Sequence, residues 1–274
     1  AFFFGGSKTY VYYSNVLLQD NIAGGYGGAL LYTDAFSMNV SNEIGSGVVI
    51  NHSQSNFGSA IALFDVPVGS SSQGPRGIAN SMGVIDIQNN NASYGATVYW
   101  QYSSGSTFEE PSELSEYNIM FGPNNIAPYG VKYGTQQYSI EITQQYTVEV
   151  YDNVLSPFID ATYKDYYNQR VVSDDYSTIT FSASNTTGCS GTPGAGLTSQ
   201  EGRNSYQSNE GTINADKLEA LCFPTGHMIV DIDATNIYPD AINNFTSSNK
   251  LFYPSNSSMF VFRQCKNGEI IKNF

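Results

Sequence analysis

The chain has 274 residues, 24 acidic against 11 basic, for a formal net charge of −13, yet only 13% of its residues are charged. A chain this negative, with so few Lys and Arg, cannot neutralise phosphates, which argues against nucleic acid as a partner and against adsorption to anionic lipid. Its 41% hydrophobic and 14% aromatic content is enough to build a core and argues against disorder.

No apolar stretch approaches the ~18 residues of a bilayer span, so no direct membrane insertion is expected. With charge so sparse, the surface must be covered by Asn, Ser, Thr, Gln, Gly and Tyr, a composition that suits an extracellular, turn-rich protein. The length allows two modules. The opening "AFFFGGSKTY" carries neither an initiator Met nor a signal peptide, and the closing "CKNGEIIKNF" shows no sign of closure, so the expectation is a processed chain or part of a longer one.

From the N-terminus, one phrase recurs four times: "LLQDNIAGGYGGALLY" (17–32), "VVINHSQSNFGSAIALF" (48–64), "IDIQNNNASYGATVYW" (85–100) and "IMFGPNNIAPYGVKY" (119–133). Each copy is a short apolar run, an Asn-rich turn, an aromatic followed by Gly, and a second apolar run. The aromatics Tyr26, Phe57, Tyr94 and Tyr129 recur at intervals of 31, 37 and 35 residues. Runs this short, bounded by Gly or Asn, predict strands rather than helices.

A repeat of short strands with Asn and Gly at its corners fits a β-solenoid. A single coil cannot bury its apolar face, so neighbours stack and like residues form ladders. Tyr26, Phe57, Tyr94 and Tyr129 are the expected coil-stacking residues. Gly27, Gly58, Gly95 and Gly130 supply positive φ or close approach, and Gly28, Ser59 and Ala96 turn inward. Asn21, Asn90, Asn91 and Asn125 are expected to cap turns through their side chains. A Gly-rich β-sandwich with look-alike hairpins is the alternative.

After Tyr133 the phrase stops and the strands lengthen. "YSIEITQQYTVEVYD" alternates, with Ile140, Ile142, Tyr146, Val148 and Val150 as the inward set. The runs 177–184, 227–235 and 258–265 alternate likewise, which fits an antiparallel sandwich. "INADKLEALC" (213–222) is the one tempting helix, with a second candidate in "EEPSELSE".

The three cysteines, Cys189, Cys222 and Cys265, leave one over. The expected disulfide joins Cys189 to Cys222, with Cys265 partnered beyond residue 274; three buried free thiols are the alternative. Asn-x-Ser/Thr sequons at Asn39, Asn51, Asn91, Asn185, Asn244 and Asn256 permit N-glycosylation in a secretory setting.

No catalytic constellation assembles in the sequence. The only cations in residues 1–135 are Lys8, Arg76 and Lys132, so the clustered acids with Lys or Arg of a polysaccharide lyase or hydrolase are not evident. Asp20 and Asp86 read as turn or solvated residues, and Glu109, Glu110, Glu113 and Glu116 as a solvated loop. Calcium is conceivable at that loop or at "DIDATN" (231–236), without the Gly and distal Glu of an EF-hand. His52 and His227 lack metal-type spacing. No cofactor and no metal site is expected.

"GGAL" (27–30) with "FSMN" (36–39) resembles the repeats of polymorphic outer-membrane proteins, a type of right-handed parallel β-helix. "NNNASYGATVYW" and "FGPNNIAPYG" more closely resemble the large extracellular pectin-lyase-like β-helix proteins of protists, including those of flagellar hairs (mastigonemes) and cell coats. That resemblance covers about residues 1–135; the fourth copy departs from it with Gly-Val-Lys. "DYYNQRVVSDD" (165–175) resembles the Asp-x-x-Gly/Asn-Gln-x-Val turn that joins two strands in bacterial and protist Ig-like repeats. "FRQCKNGEI" resembles the entry to Cys-rich repeats that would supply the partner of Cys265.

Together these readings predict an all-β chain: a right-handed parallel β-helix over 1–135 followed by an Ig-like antiparallel β-sandwich over 136–274. The expected function is that of an extracellular structural or adhesive glycoprotein of a surface filament or mastigoneme. It would contact neighbouring subunits and glycans through exposed aromatics that include Trp100. A polysaccharide lyase or hydrolase is the first alternative and a monomeric carbohydrate-binding or receptor ectodomain the second.

Overall fold

The computed structural model describes residues 2–5, 10–13, 15–33, 37–40, 47–64, 77–80, 84–101, 119–143, 147–150, 154–155, 160–185, 196–199, 204–215, 218–221, 227–237, 250–252 and 258–262. Among them the regular structure is all β. The chain divides into two compact units, one of residues 1–136 and 165–173, the other of 137–164 and 174–274.

In the first unit the strands follow the repeat. They are β1 (Phe2–Gly5), β2 (Tyr10–Tyr13) and β3 (Val16–Gln19); β4 (Leu30–Thr33), β5 (Ser37–Val40), β6 (Gly47–Asn51) and β7 (Gln54–Ser55); β8 (Ile61–Phe64), β9 (Gly77–Asn80), β10 (Val84–Gln88) and β11 (Asn91–Ala92); β12 (Val98–Gln101) and β13 (Ile119–Phe121); and β14 (Tyr133–Thr135). They pair only with their counterparts in neighbouring copies, giving sheets β1-β4-β8-β12-β14, β3-β6-β10-β13, β2-β5-β9 and β7-β11. Every pairing in these sheets is parallel.

The register explains why the sequence repeats. Leu18, Ile50, Ile87 and Phe121 stand in one column, and Leu30, Ile61, Val98 and Tyr133 in another. The first three members of each are buried, each burial stabilising by roughly 1.5–3 kcal/mol. β6 and β10 alternate buried and half-buried residues, as expected of a strand with one face inside. In β8 and β12 three consecutive residues are buried, so both faces are covered.

Two corners punctuate each copy. At the first, Asp20, His52, Asn89 and Asn124 adopt left-handed φ of 56°, 51°, 54° and 62°. Asn, Asp and His are the non-glycine residues that best tolerate that region. At the second, Gly27, Gly58 and Gly130 have φ of 62–64°.

The second unit contains β15 (Ser139–Thr143), β16 (Thr147–Val150), β17 (Val154–Leu155), β18 (Asp160–Lys164), β19 (Thr178–Asn185), β20 (Gly196–Ser199), β21 (Ser205–Gln207), β22 (Thr212–Asn214), β23 (Leu218–Leu221), β24 (His227–Ala234), β25 (Lys250–Phe252) and β26 (Ser258–Phe262). Its sheets run β22-β18-β15-β25, β16-β26-β24-β19-β21 and β17-β23-β20. All neighbours are antiparallel except β16 and β26, which pair parallel. Ile140, Ile142, Ala161, Tyr163, Ile179, Phe181 and Ile213 are buried in this unit.

The tempting helix at 213–222 is instead β22 and β23. Around Ile213 the burial follows period two, with Ile213 buried, Thr212 half-buried and Asn214 exposed. Pairing of β22 with β18, and of β23 with β17 and β20, overrides the local helix preference of Ala215, Lys217, Leu218, Glu219, Ala220 and Leu221, as tertiary context commonly does.

Candidate functional site

The four aromatic anchors do not share one environment. Tyr26 and Phe57 stack with ring centroids 5.1 Å apart and 20° between planes, and Phe57 and Tyr94 lie 6.1 Å apart, tilted by 37°. Tyr99 backs this row from inside, 5.1 Å from Phe57, and Phe64 meets Tyr26 edge-on at 4.7 Å. A Cβ at Gly95 would run into the Phe57 ring, so glycine there makes room for the row. Tyr26 and Tyr94 are exposed, whereas Tyr129 is 6% exposed and donates its hydroxyl to the Thr135 carbonyl at 2.8 Å. Tyr26 and Phe57 thus each have one ring face covered by the other.

A second set of ladders is polar. Asn90 is fully buried, and its amide donates to the Gln88 and Ile50 carbonyls at 2.8 and 3.2 Å. Its Oδ1 accepts from the Ser53 N–H at 2.9 Å, and Asn125 Oδ1 in turn accepts from the Asn90 N–H at 3.1 Å. Asn125 donates to the Ile87 and Gly122 carbonyls, and Asn21 to that of Gln19. Nearer the surface, Asn89 donates to Asn51 Oδ1 at 2.9 Å and Asn124 to Asn89 Oδ1 at 3.0 Å. Asn91, expected as another turn cap, is an exposed residue of β11.

The stretch 165–175, whose resemblance implies a turn joining two strands, lies between β18 and β19, and its residues 165–173 belong to the first unit. Asp165 anchors it: the Gln169 N–H donates to Oδ1 at 2.8 Å and the Gln169 side-chain amide to Oδ2 at 3.1 Å. Asn168 takes the left-handed conformation the turn requires, with φ 61°. The loop then consumes the hydrogen-bonding groups of edge strand β14. The Thr135 N–H donates to Asp165 Oδ2 at 3.3 Å, and Gln169 donates to the Tyr133 carbonyl at 3.0 Å. The Tyr166 N–H donates to the Thr135 hydroxyl at 3.0 Å. Tyr167 stacks on Tyr133, with centroids 5.9 Å apart. Asp165 is buried, and loss of water raises its carboxyl to about 6, against the downward pull of these hydrogen bonds.

Trp100, expected among the exposed contact residues, is 1% exposed. It stands between Leu63 and Thr135 in register, and its indole N–H donates to the Tyr167 hydroxyl at 3.1 Å. Burial on both faces of β12 takes it out of any surface contact.

No three His, Cys, Asp or Glu among the described residues come together as a metal site. Asp20 lies in the left-handed corner row, where it faces His52 at 3.8 Å with both side chains exposed. Asp86 is half-buried in a different row, beside Val49 and Met120. His227 begins β24 and Asp233 is exposed. Of the sequons, Asn51 is half-buried and Asn91 exposed, while Asn39 and Asn185 lie in β5 and β19. Asn244 and Asn256, Cys189, Cys222 and Cys265, and Glu109 to Glu116 fall outside the described residues.

No protein-family model, curated protein or solved structure matches the chain.

Proposed function

We propose that the chain is an extracellular structural and adhesive glycoprotein, a subunit of a surface filament or flagellar-hair type of assembly, with no catalytic role of its own. In this reading the first unit winds as a right-handed parallel β-helix and the second is an Ig-like β-sandwich. One observation carries the proposal: four successive copies pair in parallel and in register, with apolar, asparagine and aromatic residues in columns. Such stacking repeats at the interstrand spacing of about 4.8 Å and makes a stiff spacer.

The Asp165–Gln169 loop adds a constraint on assembly. With β14 covered by side chains, that edge is closed to strand addition. Strand addition between subunits would therefore not take place at β14.

Electron microscopy of purified native protein tests the reading. Fibrils or sheets with a regular subunit repeat are expected. A population made only of separate particles at native concentration overturns the assembly role and favours a monomeric ectodomain. Cleavage of acidic polysaccharide by the pure protein overturns the non-catalytic assignment.

A further inference from the structure

The two-residue strands β7 and β11 belong to an outward row that runs Ile22, Gln54, Asn91, Ile126 across the four copies. All four side chains are exposed, Ile22 by 75% and Ile126 by 61%. The next residues, Ala23, Ser55, Ala92 and Ala127, face inward and are half-buried or buried. Asn91 is also the acceptor of the sequon Asn91-Ala92-Ser93.

We propose that Asn91 carries an N-linked glycan whose first sugar lies over Ile126, so that the glycan shields this face of the repeat. The inference rests on the extracellular reading above. Three observations support Asn91. Its backbone is already satisfied: the N–H groups of Asn91, Ala92 and Ser93 donate to Ser53, Ile126 and Ser55 carbonyls at 2.9, 2.8 and 3.0 Å. The side chain projects into solvent from a segment anchored by buried Ala92. Its neighbours in the row are suited to a sugar. Ile126, one interstrand spacing of about 4.8 Å away, offers an exposed apolar surface to the C–H face of the ring, and Gln54 on the other side offers an amide. Asn51 differs, because it is half-buried and its Oδ1 already accepts from Asn89 in the polar ladder. A bulky group there would disturb Asn89 and, through it, Asn124.

Site-resolved mass spectrometry of the native protein tests the assignment, together with Asn91→Gln and Ser93→Ala variants secreted from a eukaryotic host. The expected result is a glycopeptide at Asn91 in most molecules, lost equally in both variants. Ser93→Ala keeps the asparagine, so its loss of glycan reports acceptor chemistry rather than a structural role of the side chain. Asn91 bare while any other sequon is occupied overturns this proposal and leaves the extracellular reading standing. All six sequons bare in native protein overturns this proposal and the glycoprotein part of the reading above. Hydroxyl-radical labelling of Ile126 should fall several-fold in the glycosylated protein relative to Ser93→Ala, with Ile22 unchanged. Equal labelling of Ile126 in the two overturns its shielding by the sugar.

Discussion

At Gly58 a φ of 64° and the nearby carbonyl oxygen of Ile61 leave no room for a Cβ, whereas a Cβ at Gly24 would meet nothing within 4 Å. Gly58→Ala should therefore cost about 1–3 kcal/mol, from left-handed strain plus the clash, while Gly24→Ala should change stability by no more than about 0.5 kcal/mol either way. Urea denaturation of the two variants checks the contrast; equal losses would remove the argument that the second corner requires glycine. Asn90 poses the same question for a polar residue. Asn90→Ala leaves the Ser53 N–H and the Ile50 and Gln88 carbonyls without their side-chain partner in a buried place, so a loss of about 2–4 kcal/mol is expected in the same assay. Some of this was legible in the sequence, since Asn-rich corners and an aromatic-Gly step recur there. The left-handed residue itself was not, because Asp20, His52, Asn89 and Asn124 share a backbone conformation without sharing a side-chain type.

Among the elements, the cap at 165–169 shows how one carboxylate ties a loop to a strand edge. Its raised carboxyl sets the sign of a pH effect. The native state takes up a proton between about pH 4 and 6 that the unfolded chain does not hold, so this contribution is present at low pH and is lost as pH rises through about 6. For a shift from 3.8 to about 6 the loss is of order 3 kcal/mol. Thermal melts from pH 4 to 7 should show this decline in the wild type and a flatter profile in Asp165→Asn; identical profiles would mean that Asp165 does not titrate in this range. The Asp-x-x-Asn-Gln pattern announced a tight turn, which the hydrogen bonds from Gln169 to Asp165 form. That the turn closes β14 was not readable, because Tyr133 and Thr135 lie some thirty residues earlier and no local signal links them to it. The segment 213–222 failed for a related reason. Its Leu, Glu, Ala and Lys are good helix formers, but local propensity amounts to only tenths of a kcal/mol per residue, and sheet neighbours distant in sequence decide its conformation.

At the scale of the molecule, the all-β character of the described residues follows from short apolar runs broken by Gly and Asn, a pattern that carries its own period and needs no long-range information. The repeat likewise announced which residues share a column, since in-register parallel pairing maps like onto like. Other features depended on partners the sequence does not name. Trp100 is buried because Tyr166 and Tyr167, from a segment far along the chain, pack against it. Tyr129 is buried and bonded to Thr135, although its sequence context closely matches that of exposed Tyr94. Local composition and period thus determined what kind of element forms and which residues correspond from copy to copy. Burial, edge protection and exposure of the Asn91 row were decided only when distant segments came together, because each depends on what covers a residue rather than on the residue itself.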